Sequence, residues 1–342
     1  MLFKVASTIL ITGATGLIGF RILLLALEAG HNVRYTARSE EKARIVTSNP
    51  AVQKLAPGDR LSAVIIPDFT VDGAFDSALQ GVTHIIHAGS PVPDPANEPT
   101  TQVFQPTIKI SSALLQSALK SPSVRRVVIT SSIVANLGLT HGTEKVSAST
   151  RVPLPNPLPD TFDNVFEAYV TAKLVTLQNE DNFARTQNLH FTISHVVPGY
   201  VFGRNELIVD AASIPTPKNS SNHFLALGFV GAELPFPIQG VFAHIDDVAE
   251  AHLRVALDEG TAGKDYGVAT KVDYATIFDY VEKAFPKAVE AGVLKRGTVP
   301  TTPVNYDSSD AEALLGGKLR SFESAVVDVA GQYLEKLGKE KA

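Results

Sequence analysis

The stretch TILITGATGLIG, residues 8–19, decides the fold class of this chain. Thr8–Thr12 is a short run of apolar and β-branched residues, which predicts a buried strand. A glycine turn follows, and the apolar stretch at residues 17–29 predicts a first helix that ends at Gly30. A strand that passes through a glycine turn into a helix is typical of the first unit of a doubly wound α/β sheet.

Strands and helices alternate outward from this unit over the first two-thirds of the chain. Further strands are predicted at Asn32–Ala37, residues 61–66, His84–His87, Arg126–Thr130 and residues 190–195. Further helices are predicted at Glu40–Thr47, residues 108–119 and residues 166–185. This alternation predicts an α/β fold with a Rossmann-like, doubly wound parallel sheet.

The character of the sequence changes after Gly199. Residues 203–240 are rich in proline, glycine and asparagine and contain few periodic elements, whereas helices are predicted again at residues 246–259, 274–285 and 310–337. We therefore expect a sheet domain at residues 1–199 and a smaller C-terminal substrate lobe at residues 200–342, partly interleaved with it. This lobe would lie over the carboxyl ends of the strands, where open α/β sheets bind ligands.

The composition argues against several classes of protein. The formal net charge is -5 without long runs of either sign, so we expect no nucleic-acid partner. No stretch approaches the roughly 20 apolar residues of a membrane span, and the N-terminus lacks a signal-peptide pattern. There is no cysteine, and the nine histidines show no metal-binding pattern, so no metal is expected. We expect a cytoplasmic protein without a membrane partner.

The glycine turn has the spacing of a dinucleotide-binding site. Gly13 allows the tight turn out of the strand, Gly16 leaves room for a pyrophosphate, and Gly19 lets the helix approach the sheet. The free N–H groups at the start of the helix would face the phosphates. An ordinary glycine-rich turn is the alternative. The residues expected to contact the cofactor here are Thr12, Gly13, Thr15, Gly16, Leu17, Ile18 and Gly19.

The end of the second predicted strand favours NADPH over NADH. An acidic residue at this place would bind the ribose hydroxyls of NAD, but the chain has Arg38 there, with Lys42 one helical turn further on. A guanidinium can form paired hydrogen bonds with the 2′-phosphate of NADP, and an ammonium can add a point charge. The alternative is a solvated helix start in which Lys42 pairs with a neighbouring glutamate.

Residues after the third and fourth strands are the next candidates for cofactor contacts. Asp68 could accept a hydrogen bond from the adenine amino group and Phe69 could pack beside the ring, although a turn-forming aspartate is an equal alternative. After the fourth strand, small residues would let the cofactor lie against the backbone, and these are Ala88, Gly89 and Ser90. His87 is expected to be structural.

A tyrosine and a lysine on the helix at 166–185 have a spacing that suits proton transfer. Tyr169 and Lys173 are four residues apart, so they share one face of the helix. An ammonium beside a phenol lowers the pKa of the phenol, which could then give its proton to a carbonyl oxygen. The strand before this helix ends in Thr130, Ser131 and Ser132, and one of the serines could polarise that oxygen. A surface pair and a strand-end turn are the alternatives.

Together these segments resemble an extended short-chain dehydrogenase/reductase of the NAD-dependent epimerase/dehydratase superfamily. Within it, the chain is most similar to the branch of dihydroflavonol-4-reductase-like proteins and fungal aldehyde and ketone reductases. The motifs that carry the resemblance are TGATGLIG at 12–19, TARSEEK at 36–42, HAGSP at 87–91, VVITSS at 127–132, YVTAK at 169–173, PGYVFG at 198–203 and AHIDDVAEAH at 243–252.

The resemblance implies roles for individual residues. Ser132, Tyr169 and Lys173 match the catalytic serine, tyrosine and lysine of the family, and the lysine also holds the nicotinamide ribose. Arg38 matches an arginine that binds the 2′-phosphate. Residues at the end of the sheet would contact the nicotinamide side of the cofactor, namely Thr130, Pro198, Gly199 and Val201.

Three further points follow from the resemblance. Gln105 and Pro106 stand where relatives often have an asparagine, which puts a proton relay through that position in doubt. Gly89 replaces a bulkier residue, so the nearby pocket is expected to be roomier. Relatives often dimerise through the helices predicted at residues 108–119 and 166–185, so a homodimer is one expected state.

The predicted function is the NADPH-dependent reduction of an aldehyde or ketone, with hydride from the nicotinamide C4 and a proton from Tyr169. A nucleotide-sugar epimerase or dehydratase with retained NAD is an alternative, against which Arg38 and Lys42 argue. A non-catalytic dinucleotide sensor is a third. The substrate is expected to be mainly apolar, in a pocket formed by Pro91, Val134, Tyr200, Arg204 and Phe224, although apolar residues of the loop could equally pack the small lobe.

Overall fold

The computed structural model describes residues 7–139, 142, 144–217 and 220–339. Its central element is a parallel sheet of seven strands, namely β1 (Thr8–Thr12), β2 (Asn32–Ala37), β3 (Leu61–Ile65), β4 (His84–His87), β5 (Arg126–Thr130), β7 (Thr192–Pro198) and β11 (Tyr266–Val268). The strand order in this sheet is β11-β7-β5-β4-β1-β2-β3. The order reverses between β1 and β4, as in other doubly wound sheets, so the predicted fold class is confirmed.

Shorter strands lie outside this sheet. They are β6 (Val146–Ser147), β8 (Tyr200–Phe202), β9 (Ile238–Gln239), β10 (Val241–His244), β12 (Thr270–Lys271), β13 (Thr301–Thr302) and β14 (Tyr306–Asp307). β10 pairs with both β8 and β12, and this small sheet begins two residues after β7 ends. The chain therefore passes from the main sheet to the second one at Gly199.

The helices alternate with the strands of the main sheet and then continue beyond it. They are α1 (Leu17–Glu28), α2 (Glu40–Thr47), α3 (Pro50–Leu55), α4 (Gln105–Leu119), α5 (Val134–Leu137), α6 (Val165–Thr186), α7 (Asn222–Val230), α8 (Ile245–Leu257), α9 (Ile277–Ala284), α10 (Pro286–Glu290), α11 (Ser309–Leu315) and α12 (Phe322–Lys336). A π-helical turn, Pro99–Phe104, precedes α4. No helix of the described residues combines the length and the apolar character needed to cross a bilayer.

Two layers of apolar side chains enclose the sheet. On one face, α1 and α8 cover a core that includes Ile9, Ile86 and Val128. On the other, α4 covers Leu10, Ile85 and others in a second cluster. Because strand side chains alternate between faces, successive residues of β1 and β4 contribute to different layers. Helix α8 lies beyond residue 200 and yet packs on the main sheet, and the predicted boundary at residue 199 stays a prediction.

Two predictions for the C-terminal region are wrong. The single helix predicted at residues 310–337 is two helices, because α11 ends at Gly316, whose φ of +80° suits glycine, and α12 begins again behind the Ser321 cap. The region at 203–240, predicted to have few periodic elements, contains α7. Its sequence is apolar on all sides, so no amphipathic period marks it as a helix.

Candidate active site

The glycine turn is held against the loop that follows β4. Gly13 has a φ of +76°, and a Cβ atom there would lie 2.6 Å from the carbonyl carbon of Ala88. A Cβ atom on Gly19 would lie 2.3 Å from the carbonyl oxygen of Gly13. Real Cβ atoms do not tolerate such distances, so both positions require glycine. The turn therefore brings Gly13, Ala88 and Gly89 into direct contact.

The start of α1 leaves backbone donors free for a ligand. Gly16 is the N-cap residue, and no side chain caps the helix. The first turn has no acidic residue, and Thr15 and Gly16 are exposed. A helix start with free N–H groups and no side-chain acceptor is suited to an anion such as a pyrophosphate. The geometry of this turn fits the phosphates of a dinucleotide, which Gly13, Gly16 and Gly19 would hold.

Arg38 and Lys42 lie at the carboxyl end of β2 and are both exposed. Ser39 caps α2 by accepting a hydrogen bond from the backbone N of Lys42 at 3.2 Å, which orders the backbone between the two cations. Neither side chain forms an ion pair within the described part of the chain, so the predicted alternative of a Lys42–glutamate pair is not found there. Two unpaired cations therefore face solvent beside the cofactor turn.

After β3, Asp68 forms a turn, which the sequence analysis gave as the alternative to an adenine contact. The Asp68 carboxylate accepts hydrogen bonds from the backbone N of Thr70 at 2.8 Å and from its hydroxyl at 2.7 Å. These bonds lower the pKa of Asp68. Phe69 stacks on Phe75, with ring centroids 5.6 Å apart. Asp68 thus forms a turn, and its predicted contact with adenine stays a prediction.

His87 and Thr12 connect the ends of β4 and β1. The backbone N of Gly89 donates to the Thr12 hydroxyl at 3.2 Å, and that hydroxyl lies 2.7 Å from His87 Nδ1. Burial, with a smaller effect of Lys173, lowers the pKa of His87 to about 3. The neutral ring and the Thr12 hydroxyl therefore share one hydrogen bond at Nδ1. This arrangement agrees with a structural role for His87.

Tyr169 and Lys173 lie in the first half of α6, which begins behind the Asn164 cap. The Asn164 side chain accepts hydrogen bonds from the backbone N atoms of Phe166 and Glu167. Lys173 Nζ is 5.8 Å from the centre of the Tyr169 ring and donates a hydrogen bond to the Thr130 carbonyl oxygen at 3.2 Å. The lysine is buried, whereas Tyr169 and Ser132 stay partly accessible. The three predicted catalytic residues are thus brought together at the end of β5.

Burial and hydrogen bonding shift the pKa values in this site. Burial raises the pKa of Tyr169, and the Ser132 hydroxyl is the group that lowers it. The ammonium of Lys173 is directed at the Thr130 carbonyl, so the predicted lowering of the Tyr169 pKa by Lys173 stays a prediction. Burial also lowers the pKa of Lys173 to about 8, against the opposing effect of Glu180. Tyr169 is therefore protonated at neutral pH, as a proton donor requires.

The Thr130 hydroxyl points to the opposite face of the sheet and contacts α8. Its oxygen lies 2.7 Å from His252 Nε2, and His252 Nδ1 lies 2.7 Å from the Val248 carbonyl oxygen. A carbonyl only accepts, so Nδ1 carries the proton. Burial lowers the pKa of His252 to about 4, so Nε2 of the neutral ring accepts from Thr130. The sequence analysis included His252 only as the last residue of the motif at 243–252 and did not predict its bond to Thr130.

The segment 198–201 passes close to the end of β5. The backbone N of Ile133 donates to the Pro198 carbonyl oxygen at 3.1 Å, and Gly199 N donates to the Val268 carbonyl oxygen at 3.0 Å. A Cβ atom on Gly199 would lie 2.9 Å from the Val241 carbonyl oxygen. The segment that the resemblance assigns to the nicotinamide ring is therefore adjacent to the site, and its contact with the ring stays a prediction.

The predicted pocket residues separate into two groups. Tyr200 lies on β8 and donates a hydrogen bond to Gln239 Oε1 at 3.1 Å, and its ring packs edge-on against Phe224 at 5.4 Å. Val134 is buried in a cluster that Tyr169 packs against, and Pro91 is partly accessible. Arg204 instead pairs with Glu206 at 2.9 Å and with Glu335 at 2.8 Å. These two carboxylates occupy its guanidinium, so its predicted pocket role loses support.

Most of the loop's large apolar residues pack the small lobe. Phe202, Ile208, Ile214, Leu225 and Phe229 are buried in one cluster with α9 and α12. The sequence analysis gave this packing as the alternative to lining a substrate pocket. Within the described residues, no group of three His, Asp or Glu side chains is placed to hold a metal ion.

The fold and this cluster of side chains define a dinucleotide-dependent oxidoreductase of the short-chain type. The model of the NAD dependent epimerase/dehydratase family matches residues 9–269, and the chain belongs to this family. It is 36% identical over 338 residues to the NAD-dependent epimerase/dehydratase ALT6 of Alternaria alternata, and the alignment covers 92% of this chain and 94% of that protein. It is 33% identical over 349 residues to the ketoreductase CTB6 of Cercospora nicotianae, with 96% and 95% covered.

Solved structures agree with this assignment. An engineered reductase for asymmetric catalysis superposes with a TM-score of 0.79 at 25% identity, covering 96% of this chain and 99% of that one. Yeast methylglyoxal/isovaleraldehyde reductase Gre2, solved with NADPH, has the same fold, with a TM-score of 0.76 at 21% identity, covering 97% and 100%. The chain is an oxidoreductase whose cofactor is a nicotinamide dinucleotide.

Proposed function

We propose that this protein is an NADPH-dependent carbonyl reductase that acts on an aldehyde or ketone of a mainly apolar small molecule. The proposal rests on one observation, which is that Tyr169, Ser132 and Lys173 lie together at the end of β5. Two hydroxyls there are partly accessible, and one buried ammonium lies behind them. The relatives named as ketoreductases support the same reaction.

A bound nicotinamide cofactor would supply the hydride that adds to the carbonyl carbon. Ser132 donates a hydrogen bond to the carbonyl oxygen and polarises it. Tyr169 gives its phenolic proton to that oxygen, so that a carbonyl, a hydride and a proton become one alcohol. Lys173 stabilises the phenolate that remains, because an adjacent cation lowers its free energy. A proton from solvent then restores Tyr169.

The choice of NADPH rests on Arg38 and Lys42. A 2′-phosphate at the end of β2 would meet an exposed guanidinium and an exposed ammonium, both without an acidic partner in the described chain. The paired donors of Arg38 match two phosphate oxygens, and Lys42 adds a further charge. The adenine contacts of Asp68 and Phe69 and the backbone contacts at Ala88, Gly89 and Ser90 belong to the same proposal.

The preference for an apolar substrate rests on the side chains around the catalytic group. Val134 lies in the apolar cluster against which Tyr169 packs. Tyr200 is close enough to Tyr169 to interact with it electrostatically, and its ring packs against Phe224. The nearby cation, Arg204, is paired with two carboxylates and would not serve a phosphorylated substrate. A hydroxyl and an amide, from Tyr200 and Gln239, are the polar groups that could orient a second oxygen of the substrate.

A titration and a turnover assay test this proposal together. Purified protein is titrated with NADPH and with NADH, and the loss of nicotinamide absorbance is then followed with a panel of apolar aldehydes and ketones. NADPH preference with turnover supports the reductase. NAD retained through purification would favour the epimerase or dehydratase. Tight binding without turnover on any carbonyl would favour the sensor.

A further inference from the structure

A network of buried charged side chains includes the second half of α6, away from the reacting groups. His195, on β7, donates from Nε2 to Glu180 Oε2 at 3.0 Å and from Nδ1 to Asp265 Oδ1 at 2.7 Å. The histidine and Glu180 side chains are only 4% and 3% exposed. A titratable residue this deep is kept only with partners, because a buried lone charge is costly.

The network extends further at both of its ends, beyond Glu180 and beyond Asp265. The Ser111 hydroxyl on α4 donates to Glu180 Oε1 at 2.5 Å. Arg151 bonds to Asp265 Oδ2 at 2.6 Å and to Asp181 Oδ2 at 2.6 Å. The network thus joins α4, α6, β7, the start of β11 and the loop at residue 151.

The geometry makes His195 an imidazolium. Both ring nitrogens face carboxylate oxygens, which only accept hydrogen bonds, so both nitrogens must carry protons. Burial alone would lower the pKa of His195, but the hydrogen bonds and charges of Asp265 and Glu180 outweigh it and raise the pKa to about 10. The network therefore holds a positive charge directly between two negative ones.

The charges of this network lie close enough to the catalytic lysine to act on its ammonium group. Glu180 and Lys173 are seven residues apart on one buried helix, so they lie about two turns apart, roughly 10.5 Å along the axis. The other groups that face Lys173 are the Thr130 carbonyl, the neutral Tyr169 and the neutral His87. Glu167 and Glu180 are the acidic residues nearest to Lys173 on its own helix, but only Glu180 is buried and lies almost on the lysine's face of the helix. Protein rather than salt solution therefore separates Glu180 from Lys173.

We propose that Ser111, Glu180, His195, Asp265 and Arg151 form a positioning network for the catalytic helix, and that its balance of charge sets the protonation of Lys173. The inference rests on the proposed function, because it assigns the network to the lysine of that site. The carboxylate of Glu180 favours the ammonium form, and the imidazolium of His195 limits that effect.

The proposal predicts opposite effects for two substitutions that each remove one charge. Glu180→Gln removes the negative charge and leaves the imidazolium, so the pKa of Lys173 should fall by about one unit. His195→Gln removes the positive charge and leaves the carboxylates, so the same pKa should rise by about one unit. The double variant should return close to the wild-type value. A network that only supports the fold would not shift the pKa in opposite directions.

The pKa of Lys173 is measured by NMR titration of the Cε signals of labelled lysines, with Lys173→Arg to assign the signal. Glu323→Gln serves as the matched control, since it breaks an exposed Lys283–Glu323 pair. Opposite shifts in the two variants, with no shift in the control, support the proposal. Unchanged or parallel shifts overturn it. If Glu180→Gln does not fold, Asp265→Asn removes a more exposed charge and should also lower the pKa of Lys173.

The NMR signal needs no turnover, so the two proposals fail separately. A wild-type protein that reduces no carbonyl but shows the opposite shifts would contradict the reductase and leave the network intact. A protein that reduces carbonyls with NADPH but shows no shifts would contradict the network alone. In an active enzyme, the pH dependence of kcat should move with the NMR value while KM for the carbonyl changes little.

Discussion

Lys173 Nζ donates a hydrogen bond to the carbonyl oxygen of Thr130 at 3.2 Å, and this bond joins the catalytic helix to the end of β5. The Thr130 hydroxyl bonds to His252 on the opposite face of the sheet. One threonine therefore connects helices on both sides of the sheet. An ammonium has three donors, so two remain for the phenolate and for a ribose hydroxyl.

Ser132 should be the serine that polarises the substrate. Ser132→Ala should lower kcat by about 10²- to 10³-fold, because one hydrogen bond to the developing oxyanion is lost. Cofactor affinity should be unchanged. Ser131→Ala is the matched control, since Ser131 is buried and its backbone N bonds to Val196. Steady-state rates that fall more for Ser131→Ala than for Ser132→Ala would contradict this assignment.

Arg38 should determine the preference for NADPH. Arg38→Ala should weaken NADPH binding by about ten- to a hundredfold, as expected for lost charge-assisted hydrogen bonds, and should leave NADH binding nearly constant. Fluorescence titration of both cofactors measures the change. Arg44→Ala removes an exposed cation from α2, the helix that follows Arg38, and is the control. An equal loss for NADH and NADPH would show that Arg38 does not contact the 2′-phosphate.

Gly19 should be irreplaceable in the cofactor turn. Gly19→Ala places a Cβ atom 2.3 Å from the Gly13 carbonyl oxygen, so α1 must move away from the turn. We expect dinucleotide binding to fall at least tenfold and thermal stability to drop, since overpacking costs about 1–3 kcal/mol. Gly317→Ala is the control, because open space surrounds that position. Normal binding by Gly19→Ala in a titration would disprove the steric argument.

The charged His195 should make stability depend on pH above neutrality. Its folded pKa is about 10, above the ordinary value of 6.5, so its contribution is complete below about pH 6.5. The contribution is lost as pH rises through about 10, with a slope of at most about 1.4 kcal/mol per pH unit.

Urea unfolding of the wild type and of His195→Gln from pH 6 to 10 measures this effect. The difference in unfolding free energy should shrink as pH rises, because groups whose pKa values are the same in both proteins cancel. The rise of about one unit expected for the pKa of Lys173 in His195→Gln opposes this change by at most about 1.4 kcal/mol. A difference that stays constant over this range would mean that His195 is not charged in the folded protein.

The sequence predicted six of the seven strands of the main sheet, because their signals are local, whereas β11 was not predicted and β7 was placed two to three residues too early. The glycine turn at residues 8–19 and the β-branched runs gave β2, β4 and β5 at the bounds observed. The C-terminal errors have a physical cause. α7 is buried on several sides and shows no amphipathic period, and the break at Gly316 depends on a left-handed residue that glycine provides without a pattern.

The candidate site likewise contains some residues that the sequence could predict and others that it could not. Tyr169 and Lys173 are four residues apart on one helix, and their approach to Ser132 follows from the edge that parallel strands share. The pairing of Arg204 with Glu335 could not be predicted, because the two residues are 131 positions apart and meet only through tertiary packing. The same holds for Glu180, His195 and Asp265, although one titratable residue in the apolar strand Thr192–Pro198 was a visible signal.

The most direct test of the account is Tyr169→Phe, which removes one hydroxyl and keeps the ring. Reduction of apolar aldehydes and ketones by NADPH is followed by absorbance, and NADPH affinity is measured by fluorescence in the same preparation. We expect kcat to fall by about 10²- to 10⁴-fold with NADPH affinity within a factor of about two. Turnover by Tyr169→Phe close to that of the wild type would contradict the assignment of Tyr169 as the proton donor.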